Sequence, residues 1–227
     1  MIKSIKKALS KYLPVNYFAY SKSYSQDGED MILKVIYEQK KGYKGFFVDV
    51  GAHHPVRYSN TNYFYKRGWK GINIEPTPSA IGAFNTFRKR DINLNIGIGP
   101  EKTKLKFYCF NEPALNSFSE EVSKRIDRES VNYKIIKELD IDVLPLSDVF
   151  DKYLPENTPI DFLSIDVEGL DYQVLLSNNW EKYKPGVVLI EENADVDNLK
   201  DSPIYAFLKG KGYSFFAKTL RTCIYRL

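Results

Sequence analysis

Gly45-Phe-Phe-Val-Asp-Val-Gly-Ala-His-His-Pro55, with Gly71-Ile-Asn-Ile-Glu-Pro76 behind it, is the stretch on which the reading of the fold turns. Phe46, Phe47, Val48 and Val50 make a short apolar run that stops at Gly51. A strand covered by helices on both faces has this pattern. Gly51 and Ala52 let the backbone approach a ligand closely. A second buried strand, Ile72 to Ile74, ends on Glu75. Ligands of open α/β sheets bind beyond the carboxyl ends of the strands. A carboxylate at that end is placed to accept hydrogen bonds from both hydroxyls of a ribose, so the two strands predict a nucleoside site.

Neither the GxGxxG dinucleotide pattern nor a P-loop is present. Without a dense phosphate cradle, the expected ligand is a nucleoside lacking phosphates, of which S-adenosylmethionine is the common one. Three further motifs follow in order. They are Ser59-Asn-Thr61, Gly68-Trp-Lys-Gly-Ile-Asn-Ile-Glu-Pro76 and Ile160-Asp-Phe-Leu-Ser-Ile-Asp-Val-Glu-Gly-Leu-Asp171, while Tyr24-Ser-Gln-Asp-Gly-Glu-Asp30 precedes the first strand. With Phe47 to Pro55 they resemble the FkbM family of S-adenosylmethionine-dependent methyltransferases, from about Ser25 onward. The resemblance implies an α/β fold of the class I methyltransferase (Rossmann-like) type, with a mostly parallel sheet, an antiparallel last strand and helices on both faces. It also implies methylation of a hydroxyl, on a sugar of a surface polysaccharide or nucleotide sugar, or on a related natural product. By the same resemblance the segment holding Gln26 lies over the cofactor.

At 227 residues and 43% hydrophobic content the chain suits one α/β domain with a sizeable core. Residues 1–24 are read as an amphipathic helix and lead-in, and residues 25–227 as the methyltransferase domain. The net charge of +4, from 33 basic and 29 acidic residues, does not suggest a protein that coats nucleic acid. Cys109 and Cys223 offer neither a disulfide framework nor zinc spacing, as expected of buried thiols in the reducing cytoplasm. No secretory signal is read, and no apolar stretch approaches the roughly 20 residues that span a bilayer. Ile2, Ile5, Leu9 and Leu13 recur at helical spacing among lysines. That helix is expected to pack on the domain or on a second subunit in a homo-oligomer, with weak contact to a membrane surface as the rival reading.

Along the chain, Ser25 can cap a helix carrying Met31, Ile32, Val35 and Ile36, closed by Lys40, Lys41 and Gly42. Asn60 and Thr61 start a short helix whose end favours an anionic group, such as the carboxylate of a methionine moiety. Thr77-Pro78 opens another helix, and Arg88, Lys89 and Arg90 at its carboxyl end read as dipole compensation. A third strand is expected from Ile92 to Ile98, with Asn95 and Ile96 flanking adenine and Leu105 to Phe110 forming a hairpin with it. The Ala114 to Phe118 loop is expected over the substrate, with Asn116 as its polar contact. Tyr213 to Ala217 and Thr222 to Tyr225 are joined by so short a link that they must pair antiparallel.

Asp49, Gly51, Ala52, Asn60, Thr61, Glu75, Asn95, Ile96 and Asp166, with Gln26, form the expected cofactor set. His53, Asn116 and Glu191 are expected to meet the acceptor, a small molecule or carbohydrate and not a nucleic acid. Asp166 and Glu168 end the fourth parallel strand, beside the transferring methyl group in the class I arrangement. His54 or Glu168 is the expected base, since a neutral imidazole or a carboxylate can take the hydroxyl proton. The acids at two strand ends leave a divalent cation open. The rival readings are a catalytically silent nucleoside-binding scaffold and a nucleic-acid methyltransferase. The second is disfavoured because Asp166-Val-Glu-Gly169 stands where an Asn/Asp-Pro-Pro-Tyr/Phe segment would be expected.

Overall fold

The computed structural model describes residues 20–39 and 42–227. The expected helix over residues 2–13, and Lys40 and Lys41, lie outside the described residues.

The first helix, α1, is Glu29–Tyr37. β1 (Phe46–Val50) follows, then α2 (Asn62–Tyr65), β2 (Lys70–Ile74), α3 (Pro78–Phe87) and β3 (Ile92–Leu94). Next come β4 (Gly97–Ile98), β5 (Thr103–Phe110), α4 (Glu120–Glu129), β6 (Ile135–Leu144), α5 (Leu146–Tyr153) and β7 (Phe162–Ile165). α6 (Asp171–Leu176), β8 (Val187–Glu191), α7 (Pro203–Gly210), β9 (Ser214–Lys218) and β10 (Thr222–Arg226) complete the order.

Seven strands form the main sheet in the order β3-β2-β1-β7-β8-β10-β9. β1, β2, β3, β7 and β8 pair in parallel, and β10 runs antiparallel to both β8 and β9. This is the expected Rossmann-like class I arrangement. Both faces are covered. Phe46, Val48 and Val50 of β1 join Leu146, Phe150, Leu175 and Leu208 from α5, α6 and α7 in one core cluster. Phe47 points to the other face, where Leu33 of α1 and Phe64 of α2 pack with Trp69 and Phe162. The period-two alternation along β1 is what splits the core into these two layers.

Three local expectations need correction. The third strand is broken at Asn95-Ile96 into β3, which pairs with β2, and β4, which joins a second sheet of order β4-β6-β5. β5 forms its antiparallel ladder with β6, not a hairpin with the third strand. The ten residues of β6 offer β5 a full-length partner, whereas the third strand turns off the main sheet after Leu94. In α1 the cap is Gly28, in the left-handed region, while the Ser25 hydroxyl accepts from the Asp30 amide. Leu33 is the fully buried residue, Met31, Ile32 and Ile36 pack against the same cluster as expected, and Val35 alone departs from the expected face at 64% exposed.

Candidate functional site

β1 and β7 are neighbours in the sheet, yet the connections after them lead to opposite edges. Such a switch point opens a crevice at the carboxyl ends of the strands. Here it is a cleft of about 1070 Å³ including its open mouth. The turn after β1 is pinned there, because the Gly51 and Ala52 amides both donate to the Ile74 carbonyl of β2, at 3.0 and 3.1 Å. Gly51 has φ 77°, and a Cβ on it would lie 1.8 Å from the Asp166 carbonyl oxygen. Only glycine lets the β1 turn pass so close to the end of β7.

Glu75, at the tip of β2, is 6% exposed. Its Oε2 accepts from the His53 amide at 2.9 Å and its Oε1 from the Thr77 amide at 2.8 Å. Burial pushes its pKa up, and the hydrogen bonds from Thr77 and His53 pull against that. A carboxylate oxygen can accept more than one hydrogen bond, so each retains capacity toward the cleft it lines.

Of the other expected cofactor residues, Gln26, Gly51, Asn60, Ile96 and Asp166 also line the cleft. Asn60 Nδ2 donates to the Ser164 hydroxyl at 3.0 Å. Asp49, Ala52, Thr61 and Asn95 do not line it. Ala52 is buried beneath the turn. Asn95 is exposed and donates to the carbonyls of Glu75 and Pro76, at 2.9 and 2.7 Å, so it braces the Glu75 loop from outside. Asp49 and Thr61 belong to a buried network behind the cleft wall. Thr61 Oγ1 donates to Asp49 Oδ2 at 2.9 Å and accepts from Arg88 Nη2 at 2.9 Å. Arg88 Nη1 donates to the Pro55 carbonyl at 3.0 Å, and Nε pairs with Asp91 Oδ2 at 2.9 Å. Asp91 in turn accepts from the Gly71 amide at 3.1 Å. Arg88 is 1% exposed, so it is no surface counter-charge to the dipole of α3 but the hub that ties the 53–61 loop to β2.

The two histidines part company. His53 lines the cleft at φ 52°, with its ring 6.3 Å from the Tyr58 ring and 19° from parallel. Burial, then His54 and Arg57, lower its pKa. His54 is exposed and outside the cleft, and its Nδ1 accepts from the Val56 and Arg57 amides at 3.1 and 2.9 Å. It closes a turn, so the expectation of His54 as base does not fit its position. Asn116 lines the cleft but is tied at both ends of its amide, accepting from the Phe110 amide at 2.8 Å and donating to Thr77 Oγ1 at 3.1 Å. It fastens the 113–118 loop to the start of α3.

At the other end stand the acids. Asp166 and Glu168 line the cleft, and Glu168 has φ 55° before Gly169 at 96°. Of the four non-glycine residues at positive φ among the described residues, His53, Tyr58 and Glu168 all line the cleft, a clustering typical of functional sites. Asp171 accepts from the Val167 and Gly169 amides, both at 3.1 Å, and so holds this turn in place. Burial, then the charges of Glu191 and Asp171, push Glu168 up to about 7, with Arg221 opposing. Burial, then Glu191 and Glu168, raise Asp166 well above the usual carboxylate range. Both side chains reach water through the open mouth although protein surrounds them, so the upward push is fullest once a ligand displaces that water. Glu191 is not on the wall itself and acts on both through charge.

Arg221, Tyr58 and Phe107 are lining residues that the sequence reading missed, and Phe118 lines the cleft within the loop expected there. Arg221 sits in the turn between β9 and β10, and its Nη1 lies 3.5 Å from Asp27 Oδ2. Thr219 Oγ1, from the same turn, donates to Glu29 Oε1 at 2.6 Å, which closes the segment before α1 over the cleft. Nothing local in Thr219 to Arg221 signals this; only the sheet order brings the turn there. Among the described residues no group of three or more His, Cys, Asp or Glu is arranged to hold a metal, and no helix is long and apolar enough to cross a membrane.

A family model described as the methyltransferase FkbM domain matches residues 49–215. Among solved structures, the chain is similar to methyltransferase FkbM from Methylobacillus flagellatus KT, at 15% identity and a TM-score of 0.49, over 82% of this chain and 44% of that one. The chain thus spans less than half the length of that relative. It is also similar to the O-methyltransferase from Bacillus cereus in complex with SAH, at 13% identity and a TM-score of 0.37, over 99% and 98% of the two chains. No curated protein matches.

Proposed function

The chain belongs to the FkbM methyltransferase family, and from that premise we propose that it moves a methyl group from S-adenosylmethionine to a hydroxyl of a sugar or related small natural product. The observation that carries this reading is Glu75, a buried carboxylate fixed by two backbone amides at the tip of β2 and facing a cleft. It binds the ribose diol. Ile96, Ile98 and Pro76 supply apolar surface for the adenine, and the turn at Gly51 with Asn60 receives the methionine end. S-adenosylmethionine supplies the methyl on a sulfonium, already a strong electrophile.

The chain then has two tasks. It must align the acceptor oxygen and take its proton. Alignment is worth up to roughly 7–11 kcal/mol in well-oriented systems. Glu168 is the base, poised at about 7 on the cleft wall; such a group adds about 10²–10⁴-fold in rate. Asp166 stands beside it at the acidic end, and His53 with Tyr58 forms the wall against which the acceptor ring lies. The proton ends on Glu168, and the products are the methyl ether and S-adenosylhomocysteine.

Calorimetric titration with S-adenosylhomocysteine tests the reading. One site per chain with micromolar affinity is expected, weakened at least about tenfold in Glu75→Ala, the loss of a charge-assisted hydrogen-bond pair. Unchanged affinity in that variant removes Glu75 from the site.

A further inference from the structure

The chain as a whole carries +4, yet its cleft has the opposite character. Asp27, Glu29, Glu75, Asp166 and Glu168 line it, and Arg221 is the one lysine or arginine among the described lining residues. Arg221 is drawn to Asp27 and lies in the field of Glu168 and Glu191. A second observation is independent of these charges. Backbone amides at the ends of strands are the usual seat of a phosphate in α/β proteins. Here they are already filled by the chain's own carboxylates. Glu75 takes the amides of His53 and Thr77 beyond β1 and β2, and Asp171 takes those of Val167 and Gly169 beyond β7. With the Glu75 end taken by the cofactor, a phosphate at the acidic end would find the Val167 and Gly169 amides engaged and like charges facing it.

We propose that the acceptor is an uncharged, unphosphorylated sugar or polyol, and that sugar phosphates and nucleotide sugars are rejected. The proposal rests on the methyltransfer reading and narrows its substrate class. The cleft discriminates by repulsion: like charges brought together at a desolvated contact oppose binding strongly. A neutral polyol brings no charge to be repelled, and its hydroxyls can donate to the carboxylates that line the cleft.

The first test needs no knowledge of the acceptor. The protein saturated with S-adenosylhomocysteine is titrated with inorganic pyrophosphate and with UDP-glucose, each with and without magnesium. Binding weaker than about 1 mM is expected in every case. Glu168→Lys, and separately Glu191→Lys as a second carrier of the change, should tighten pyrophosphate binding at least about tenfold. Saturable binding of either anion by the unaltered protein, with or without magnesium, overturns the proposal. So does a failure of both variants to gain affinity while they still bind S-adenosylhomocysteine. Turnover gives a second readout, with methyl glucoside set against glucose 6-phosphate and UDP-glucose. Any methyl transfer should favour the neutral member on the order of 100-fold in kcat/KM, narrowing as salt rises; faster transfer to a phosphorylated member overturns it. If the unaltered protein fails to bind S-adenosylhomocysteine at all, the methyltransfer reading has failed instead.

Discussion

Replacing Arg88 with methionine should cost this protein about 3–5 kcal/mol, the usual penalty when one partner of a buried ion pair is removed. Methionine keeps most of the aliphatic packing and deletes the guanidinium. What it leaves behind decides the magnitude. Asp91 loses its 2.9 Å ion pair, and the Pro55 carbonyl and Thr61 hydroxyl lose donors at 3.0 and 2.9 Å. Burial pushes Arg88 down and Asp91 up in pKa, and the contact between them opposes both shifts. With the cation gone, only the hydrogen bonds from Asn73 and the Gly71 amide oppose the rise at Asp91, so the variant would bury either an unpaired charge or a proton taken up by the carboxylate. Each kcal/mol moves Tm by about 2–4 °C in a chain of this size, so a fall of about 6–20 °C is expected. Urea unfolding at pH 7 measures it, with the slope m unchanged as the sign that the native state is otherwise intact. Arg88→Met with Asp91→Asn should recover part of the loss, since no unpaired charge then remains at that end. A loss below about 1 kcal/mol in the single variant would refute the hub, because solvent would have to reach a site that is 1% exposed.

Gly51→Ala should be severe. Its Cβ would press to 1.8 Å from a backbone oxygen at φ 77°, so a loss of at least about 1–3 kcal/mol and of S-adenosylhomocysteine binding is expected in paired unfolding and calorimetry. Normal affinity would mean the turn yields freely. For Glu168, whose native pKa of about 7 lies above its ordinary 4.5, two pH effects run in opposite senses. Its contribution to stability is complete below about 4.5 and is lost as pH rises through about 7, since the native state holds the proton more tightly. Its service as base begins only above about 7, so kcat/KM should fall on the acid side with that midpoint. Glu168→Gln should erase that limb and slow turnover by about 10²–10⁴-fold; an unchanged profile would assign it to another group. His54→Ala should leave kcat within about twofold and change stability by at most about 1 kcal/mol, as at other exposed turn positions. A tenfold fall in kcat would return His54 to the chemistry.

The sheet was legible because its strands are buried on both faces and their sequences say so. Phe46 to Val50 and Ile72 to Ile74 read as β1 and β2, and the three-residue link between Lys218 and Thr222 required an antiparallel pair. Gly51, Glu75 and Glu168 were legible for the same reason: a glycine or an acid at the end of an apolar run marks a tight turn or a ligand. Side-chain direction was not legible. His53 and His54 are adjacent, yet one faces the cleft and the other closes a turn, because the backbone enters the left-handed region at His53. Asp49 looks like a ligand contact from its place beside Gly51, but alternation along β1 turns it to the face where Thr61 waits. Arg88 was misread because a cation ending a helix satisfies the dipole equally well exposed or buried. Long-range pairing was equally silent: nothing in Leu105 to Phe110 says that its partner lies about thirty residues on, in β6.

β10 follows β9 in the chain but sits inside it in the sheet, between β9 and β8. That has a consequence for assembly. β8, whose Val187 to Ile190 are all buried in the finished protein, has an open edge until the β9–β10 hairpin docks. Until then alternate residues of the strand present bare amides and carbonyls on that edge, beside apolar side chains, the template on which edge-to-edge association grows. The hairpin closes through a short turn and can form on its own in microseconds, but its docking is a long-range event. The same turn brings Arg221 and Thr222 to the cleft wall. Capping the vulnerable edge and completing the site are therefore one step, and a ligand present early in refolding should suppress aggregation by drawing that step forward.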